Sequence, residues 1–174
     1  TKEMFDALRK LDRDIVLSLS NSAPLADAPF FMEHAECWRT TGDIRDTWKS
    51  INSIGFSQDK WIPFCRPGAW PDADMLVVGL VGWGPKLHYT KLTADEQYTH
   101  MSLWALFASP LLIGCDMARL DDFTLSLLTN DEVIEELIRI AQLLRDAHLE
   151  GEKLGRDDIA SISPLFGSIT IPRA

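Results

Sequence analysis

The chain has 174 residues, 46% of them hydrophobic and 25% charged, which excludes a disordered or low-complexity polypeptide. Seventeen Lys and Arg stand against 26 Asp and Glu, a net charge of -9 that nucleic-acid backbones and anionic membranes would repel. The apolar runs are too short to span a bilayer, and no basic region precedes an apolar core, so no signal peptide is read. The chain starts on Thr1 rather than Met. The three cysteines, Cys37, Cys65 and Cys115, are an odd, sparse set, and each reads as a small buried apolar residue.

Helix and strand patterns alternate. Lys2 to Lys10 reads as a helix with Met4, Phe5, Leu8 and Leu11 on one face, and Asp14 to Ser20 as a short buried strand. A helix is expected around Phe30 to Glu36, then a strand end at Cys37-Trp38-Arg39. The spacing of Ile44, Trp48 and Ile51 marks one face of a helix opening at Ile44. Lys60 to Cys65 fits a strand weakened by Pro63, and Arg66 to Asp74 a loop of turn formers before the apolar run Met75 to Val78.

Thr93 to Glu96 has the form of a capping box opening a helix through Tyr98, Met101, Trp104 and Ala108, which Pro110 stops. Pro110 to Cys115 reads as a buried strand. Thr129 to Glu132 is a second capping box, and Val133, Leu137, Ile140 and Leu144 form the stripe of a helix ending near Gly151. Residues 161–167 look turn-like. The alternation argues for a parallel α/β sheet of about four βα units, half of an eight-stranded barrel.

In such folds chemistry gathers where strands end. Ser20, Arg39 with Asp43, Asp72 with Asp74, and Asp116 stand at those places. Directly before Ile44, Asp43 reads first as a helix N-cap, and the helix dipole would then favour the carboxylate, the wrong form for a general acid. A catalytic role needs burial or a second carboxylate nearby. Arg39 is either a surface partner of Asp43 or Asp46, or a fixed donor orienting a hydroxylated or anionic ligand. Asp72-Ala73-Asp74 has a spacing that can hold a divalent cation, but two loop carboxylates pointing apart are commoner. His34, His88, His100 and His148 show no ligand spacing, so no metal or cofactor is assigned. Trp38, Trp70 and Trp83 fall near loop ends, where aromatic faces would suit sugar rings; Trp48 and Trp104 lie on helix faces and read as core.

Three stretches together resemble one family. Cys37 to Ile51 (Cys-Trp-Arg-Thr-Thr-Gly-Asp-Ile-Arg-Asp-Thr-Trp-Lys-Ser-Ile), Pro67 to Leu76 (Pro-Gly-Ala-Trp-Pro-Asp-Ala-Asp-Met-Leu) and Met101 to Asp116 (Met-Ser-Leu-Trp-Ala-Leu-Phe-Ala-Ser-Pro-Leu-Leu-Ile-Gly-Cys-Asp) look like the α-galactosidases of glycoside hydrolase family 27, in matching order and spacing. The resemblance covers residues 1–135 and implies the C-terminal half, strands five to eight, of a (β/α)8 TIM barrel. Residues 136–174 look like a divergent helical and irregular tail.

The resemblance implies a retaining hydrolase of terminal α-D-galactosyl residues. Asp43 falls on the general acid/base, Arg39 on a sugar-binding arginine, and Asp74 and Met75 on residues lining the galactose pocket. The nucleophile is expected in polypeptide preceding Thr1 and not in this chain, so the fragment alone is expected to be inactive. The implied partner is a galactoside oligosaccharide or glycoconjugate, with no nucleic acid, no membrane, and self-association through open strand edges. The parent is expected to be secreted or periplasmic. Leu19 and Ala35 occupy places where many eukaryotic members carry a disulfide, which points to a bacterial-type sequence. Many members read Asn-Asp-Pro-Asp where this chain has Pro71 to Asp74. Ser20 stands where α-galactosidases often place a glutamate that contacts the sugar 2-hydroxyl, and Ser20 with Ala23 resembles members accepting an N-acetyl group there. An α-N-acetylgalactosaminidase, a non-catalytic carbohydrate-binding remnant and a metal-dependent enzyme using Asp72 and Asp74 are the competing readings.

Overall fold

The computed structural model describes residues 1–20, 22–82 and 86–151. A parallel sheet carries the fold: β1 (Ser18–Leu19), β2 (Cys37–Arg39) and β3 (Trp70–Asp72), in that order. The register sets Ser18 against Cys37, and Arg39 against Asp72, so the chemistry-bearing ends of β2 and β3 lie side by side. Helices α1 (Lys2–Leu8), α2 (Ala28–His34) and α3 (Trp48–Gly55) flank these strands in chain order. Beyond β3 the chain continues through Leu76, which makes a parallel bridge to Ile113, and a hairpin of β4 (Leu80–Val81) and β5 (His88–Tyr89) follows. Three helices complete the described chain: α4 (Ala94–Leu106), α5 (Asp122–Leu128) and α6 (Asp131–Glu150).

Strand alternation sorts the side chains of β2 to opposite faces. Trp38 is fully buried beneath α2, its ring stacked on Phe31 at 6.1 Å, in a small cluster with Ala28, Ala35, Trp61 and Ala69. The larger core joins Leu76 to Val81 with α3, α4 and α6, through Ile51, Leu103, Trp104, Leu106, Ile140 and Leu144. Helix α6 presents the expected stripe to this core and ends on Gly151 in the left-handed conformation that glycine adopts without penalty. The domain boundary expected at 135/136 lies within that helix, and the turn expected at 161–167 lies outside the described residues.

Several expectations need correction. Asp14 to Ser20 pairs only over Ser18–Leu19. Residues 59–64 form a 3-10 helix, not a strand, with Pro63 inside it, since proline removes a ladder donor but suits a tight turn. Strand β3 falls instead in the stretch of turn formers; Pro71 is accommodated there. Pro110 to Cys115 makes only single bridges, at Ile113 and Cys115, and leaves Leu112 and Ile113 exposed. The box on Thr93 and Glu96 forms in full, whereas α6 is capped by Asn130, whose side chain accepts from the Val133 N–H, one residue later than expected. Helix α3 starts at Trp48, capped by Thr47, so Asp43 is not its N-cap. Trp48 is exposed rather than core, while Trp104 is fully buried. Cys37 and Cys65 are buried and Cys115 partly so; burial pushes the Cys37 thiol up to about 12, with the nearby Asp72 carboxylate adding to it. Among the described residues no helix is long and apolar enough to cross a membrane.

Candidate active site

The site is built at the C-terminal ends of β2 and β3. Arg39 ends β2 and is almost fully buried. Its Nη2 donates to Asp74 Oδ2 at 2.6 Å and lies 3.4 Å from both Asp43 Oδ1 and the Thr41 carbonyl. The arginine therefore pairs with Asp43 and Asp74, not with Asp46. Its buried Nε has no hydrogen-bond partner among the described residues.

Asp74 is the hub. Its φ of 82° places a side-chain-bearing residue in the left-handed region, a strain of about 1–3 kcal/mol that surrounding contacts must impose. Those contacts are present. The Asp74 N–H donates to Asp72 Oδ1 at 2.7 Å, and its carbonyl accepts from the Trp104 indole at 2.6 Å. Its carboxylate accepts from the Ile44 N–H at 2.8 Å, from the Met75 N–H at 2.8 Å and from Arg39. Removing one partner of a buried ion pair costs about 3–5 kcal/mol, because the other charge is left uncompensated.

The DxD carboxylates thus have separate tasks. Asp72 closes a turn onto the Asp74 amide, and Asp74 binds Arg39 and the Ile44 amide. Burial pushes the Asp72 carboxyl above the usual carboxylate range; the Asp74 charge adds to this, and the Asp74 N–H and Arg39 oppose it. No group of three or more His, Cys, Asp or Glu able to hold a metal ion occurs among the described residues.

Asp43 has a side chain that is 77% exposed, at the periphery of the Arg39 pair. It sits on the loop between β2 and α3, held at one end by Thr40, whose N–H donates to the Asp72 carbonyl at 2.9 Å and whose hydroxyl donates to Gln58 at 2.9 Å. The fully buried Ile44 fastens the loop next to Asp43. Met75 is half-buried beside Gly114, where a Cβ would meet the Met75 side chain and lie 2.8 Å from the Leu76 backbone carbonyl, so glycine is required for this close approach. Ser20 is exposed just beyond β1, and the Ala23 N–H donates to the Arg39 carbonyl at 2.9 Å, folding that loop over the end of β2.

The aromatic expectations fare differently. Trp38 is buried under α2, and Trp70 opens β3 at the end away from the site, so neither faces it. Trp83 lies outside the described residues. Sequence reasoning missed the support layer. Ser109 donates no visible motif, yet its hydroxyl accepts from the Ala73 N–H at 3.0 Å. His100 is fully buried behind Met75 to Val77, edge-on to Trp104, and its Nε2 accepts from the Val77 N–H at 3.1 Å.

The chain as a whole is similar to known proteins. The family described as alpha galactosidase A matches residues 1–138. The chain belongs to glycoside hydrolase family 27. Alpha-galactosidase 2 of Arabidopsis thaliana is 42% identical over 132 residues, which are 76% of this chain and 31% of that protein. An alpha-galactosidase of Cyamopsis tetragonoloba is 48% identical over 97 residues, 56% of this chain and 21% of that protein. Among solved structures, the family 27 β-L-arabinopyranosidase of Geobacillus stearothermophilus superposes with a TM-score of 0.74 at 42% identity, covering 78% of this chain and 33% of that one. The chain thus spans about a third of the length of the family 27 proteins it matches, and its parallel sheet with flanking helices is part of their barrel fold.

His100 carries a pH prediction. Burial holds its imidazole down at about 3 against an ordinary 6.5, and charging it would set a second N–H against that of Val77. The unfolded chain takes up this proton below pH 6.5 while the folded chain refuses it until about 3, so stability falls with pH through that window. At about 1.4 kcal/mol per pH unit, urea unfolding between pH 7 and 5 should cost wild type about 2 kcal/mol more than His100→Gln, which keeps an acceptor for Val77. Equal losses in the two proteins would contradict this.

Proposed function

We propose that this chain is the second half, strands five to eight, of the catalytic barrel of a retaining α-galactosidase, with Asp43 as its general acid/base. Residues 1–135 form that half. Residues 136–174 are the divergent tail, of which the part up to Glu150 completes α6 and packs Ile140 and Leu144 into the core. The observation that carries the reading is the arrangement at the strand ends: a buried arginine–aspartate pair offering fixed donors and acceptors, beside an aspartate that no helix caps and that faces solvent.

The chemistry follows from that division. Asp74 is held by two backbone N–H groups and Arg39 by burial and its bond to Asp74, which suits hydrogen bonds to sugar hydroxyls that must strengthen in the transition state. In this reading Met75 and Ser20 contribute to the sugar pocket, as the family resemblance implies. Asp43 is free to approach the glycosidic oxygen. In a retaining enzyme the nucleophilic carboxylate stands about 5–5.5 Å from the acid/base, and its negative charge favours the protonated form of the acid. Forming the glycosyl ester removes that charge, and Asp43 then takes a proton from the water that completes hydrolysis. The nucleophile belongs to polypeptide preceding Thr1. The substrate is a galactoside oligosaccharide or glycoconjugate. A second reading, cleavage of β-L-arabinopyranosides, is favoured by the likeness to the Geobacillus stearothermophilus enzyme; that sugar repeats the ring of α-D-galactose without its hydroxymethyl group.

In the complete enzyme, Asp43→Asn should lower kcat/KM on an alkyl α-galactoside by about 10²-fold or more. Unchanged turnover would remove Asp43 from the mechanism. Parallel assays on aryl α-galactosides, α-N-acetylgalactosaminides and β-L-arabinopyranosides rank the sugars, and preference for either of the latter two would displace the galactosidase reading.

The 174-residue chain alone should bind sugar weakly and hydrolyse none. The edges of its parallel sheet at β1 and β3, with the exposed apolar Val16, Leu112 and Ile113, are a template for pairing with another copy. Size-exclusion chromatography should therefore show oligomers, and a stable monomer would contradict the open-edge account.

A further inference from the structure

The loop that carries Asp43 runs from Thr40 to Thr47, and the Asp43 side chain itself is too exposed to be steered by packing. Apart from the 3.4 Å contact with Arg39, its direction is set by the loop backbone, and the loop's anchors decide how far the carboxyl can stray from that contact. Two anchors belong to the site already described: Thr40 on the Asp72 carbonyl and the Ile44 N–H on Asp74. The third does not. Three residues beyond Asp43, Asp46 is buried, and the partners of its carboxylate lie on the β4–β5 hairpin and the residues just after it.

Asp46 Oδ2 meets His88 Nε2 at 2.9 Å and accepts from the Lys91 N–H at 3.2 Å, while Oδ1 lies 3.6 Å from Lys91 Nζ. This carboxylate does not start α3, because Thr47 does. It does not hold the loop in the core, because Ile44 does. Its burial is costly, and the bonds from His88 and Lys91 outweigh that cost and keep it ionised. The hairpin is a firm frame for such a tie. The Thr90 N–H donates to the Gly79 carbonyl at 2.7 Å, Leu92 is buried, and Gln97 of α4 donates to the Leu92 carbonyl at 3.2 Å.

We propose that Asp46 is a positioning residue for Asp43, clasping the acid/base loop to the β4–β5 hairpin through His88 and Lys91. The proposal rests on the acid/base reading of Asp43. Asp46 touches no substrate. It fixes the stretch from Ile44 to Thr47, so that the Asp43 carboxyl stands where the glycosidic oxygen will be. Losing the clasp leaves the sugar-binding pair of Arg39 and Asp74 in place and lets the proton donor wander.

Leaving-group dependence separates this role from a merely structural one. A methyl α-galactoside needs its leaving oxygen protonated, whereas a 2,4-dinitrophenyl α-galactoside does not. In the complete enzyme, Asp46→Asn should lower kcat/KM on the methyl glycoside by about tenfold or more and change the dinitrophenyl value by less than about threefold. Asp43→Asn should show the same imbalance more strongly. If Asp46→Asn does not fold, His88→Ala on the half-exposed hairpin carries the same test, with His88→Gln, which keeps an N–H donor, restoring the methyl rate. Equal losses on both substrates, or no loss, overturn the clasp alone when Asp43→Asn keeps its imbalance. An Asp43→Asn variant without imbalance overturns the acid/base reading and the clasp with it.

Discussion

The buried pair of Arg39 and Asp74 is the constraint on which the site depends. Two charges brought out of water at the end of a parallel sheet are tolerable only when each is met by fixed partners. Asp74 meets Arg39, the Ile44 amide and its own neighbour's amide, and the left-handed backbone at Asp74 is what turns its carboxylate toward them. That turn is imposed from below by Asp72 and Trp104. Loss of any one of these contacts would loosen two strand ends and the start of the following loop together.

Rigidity and freedom are divided accordingly. The groups that would hold a sugar are buried and paired with each other, and the group that would move a proton is left in solvent at the margin of the pair. A proton donor must reach a leaving group and later a water, so exposure suits it; hydroxyl-binding groups must not reorganise, so burial suits them. The structure also separates support from contact. Ser109, Trp104 and His100 act on the backbone of residues 73–77 and reach the site only through it.

Much of this was legible in the sequence, and the exceptions have physical causes. Long periodic segments such as α4 and α6, and the Thr93 box, follow from apolar spacing and side-chain capping. The short strands do not: β2 and β3 are three residues each, too few for a period to register, and β3 carries a proline. Asp43 directly before a 3.6-residue pattern looks like a cap, but Ile44 belongs to the core through its loop, and the helix waits for Thr47. Strand-end position alone marks Ser20, Arg39, Asp43 and Asp74 as candidates, whereas their roles, and Met75, follow only from family resemblance. The partners of Asp46 lie more than 40 positions away, and no local signal connects them.

In the proposed mechanism a sugar seated on Arg39 and Asp74 presents its glycosidic oxygen to Asp43. A crystal structure of the complete enzyme with a galactoside bound tests it most directly. Sugar hydroxyls should lie on the Arg39 guanidinium and the Asp74 carboxylate, and the Asp43 carboxyl within hydrogen-bond distance of the glycosidic oxygen, with a second carboxylate about 5–5.5 Å from it. A sugar bound away from the Arg39–Asp74 pair, or an Asp43 carboxyl turned from the scissile bond with no carboxylate opposite, would contradict it.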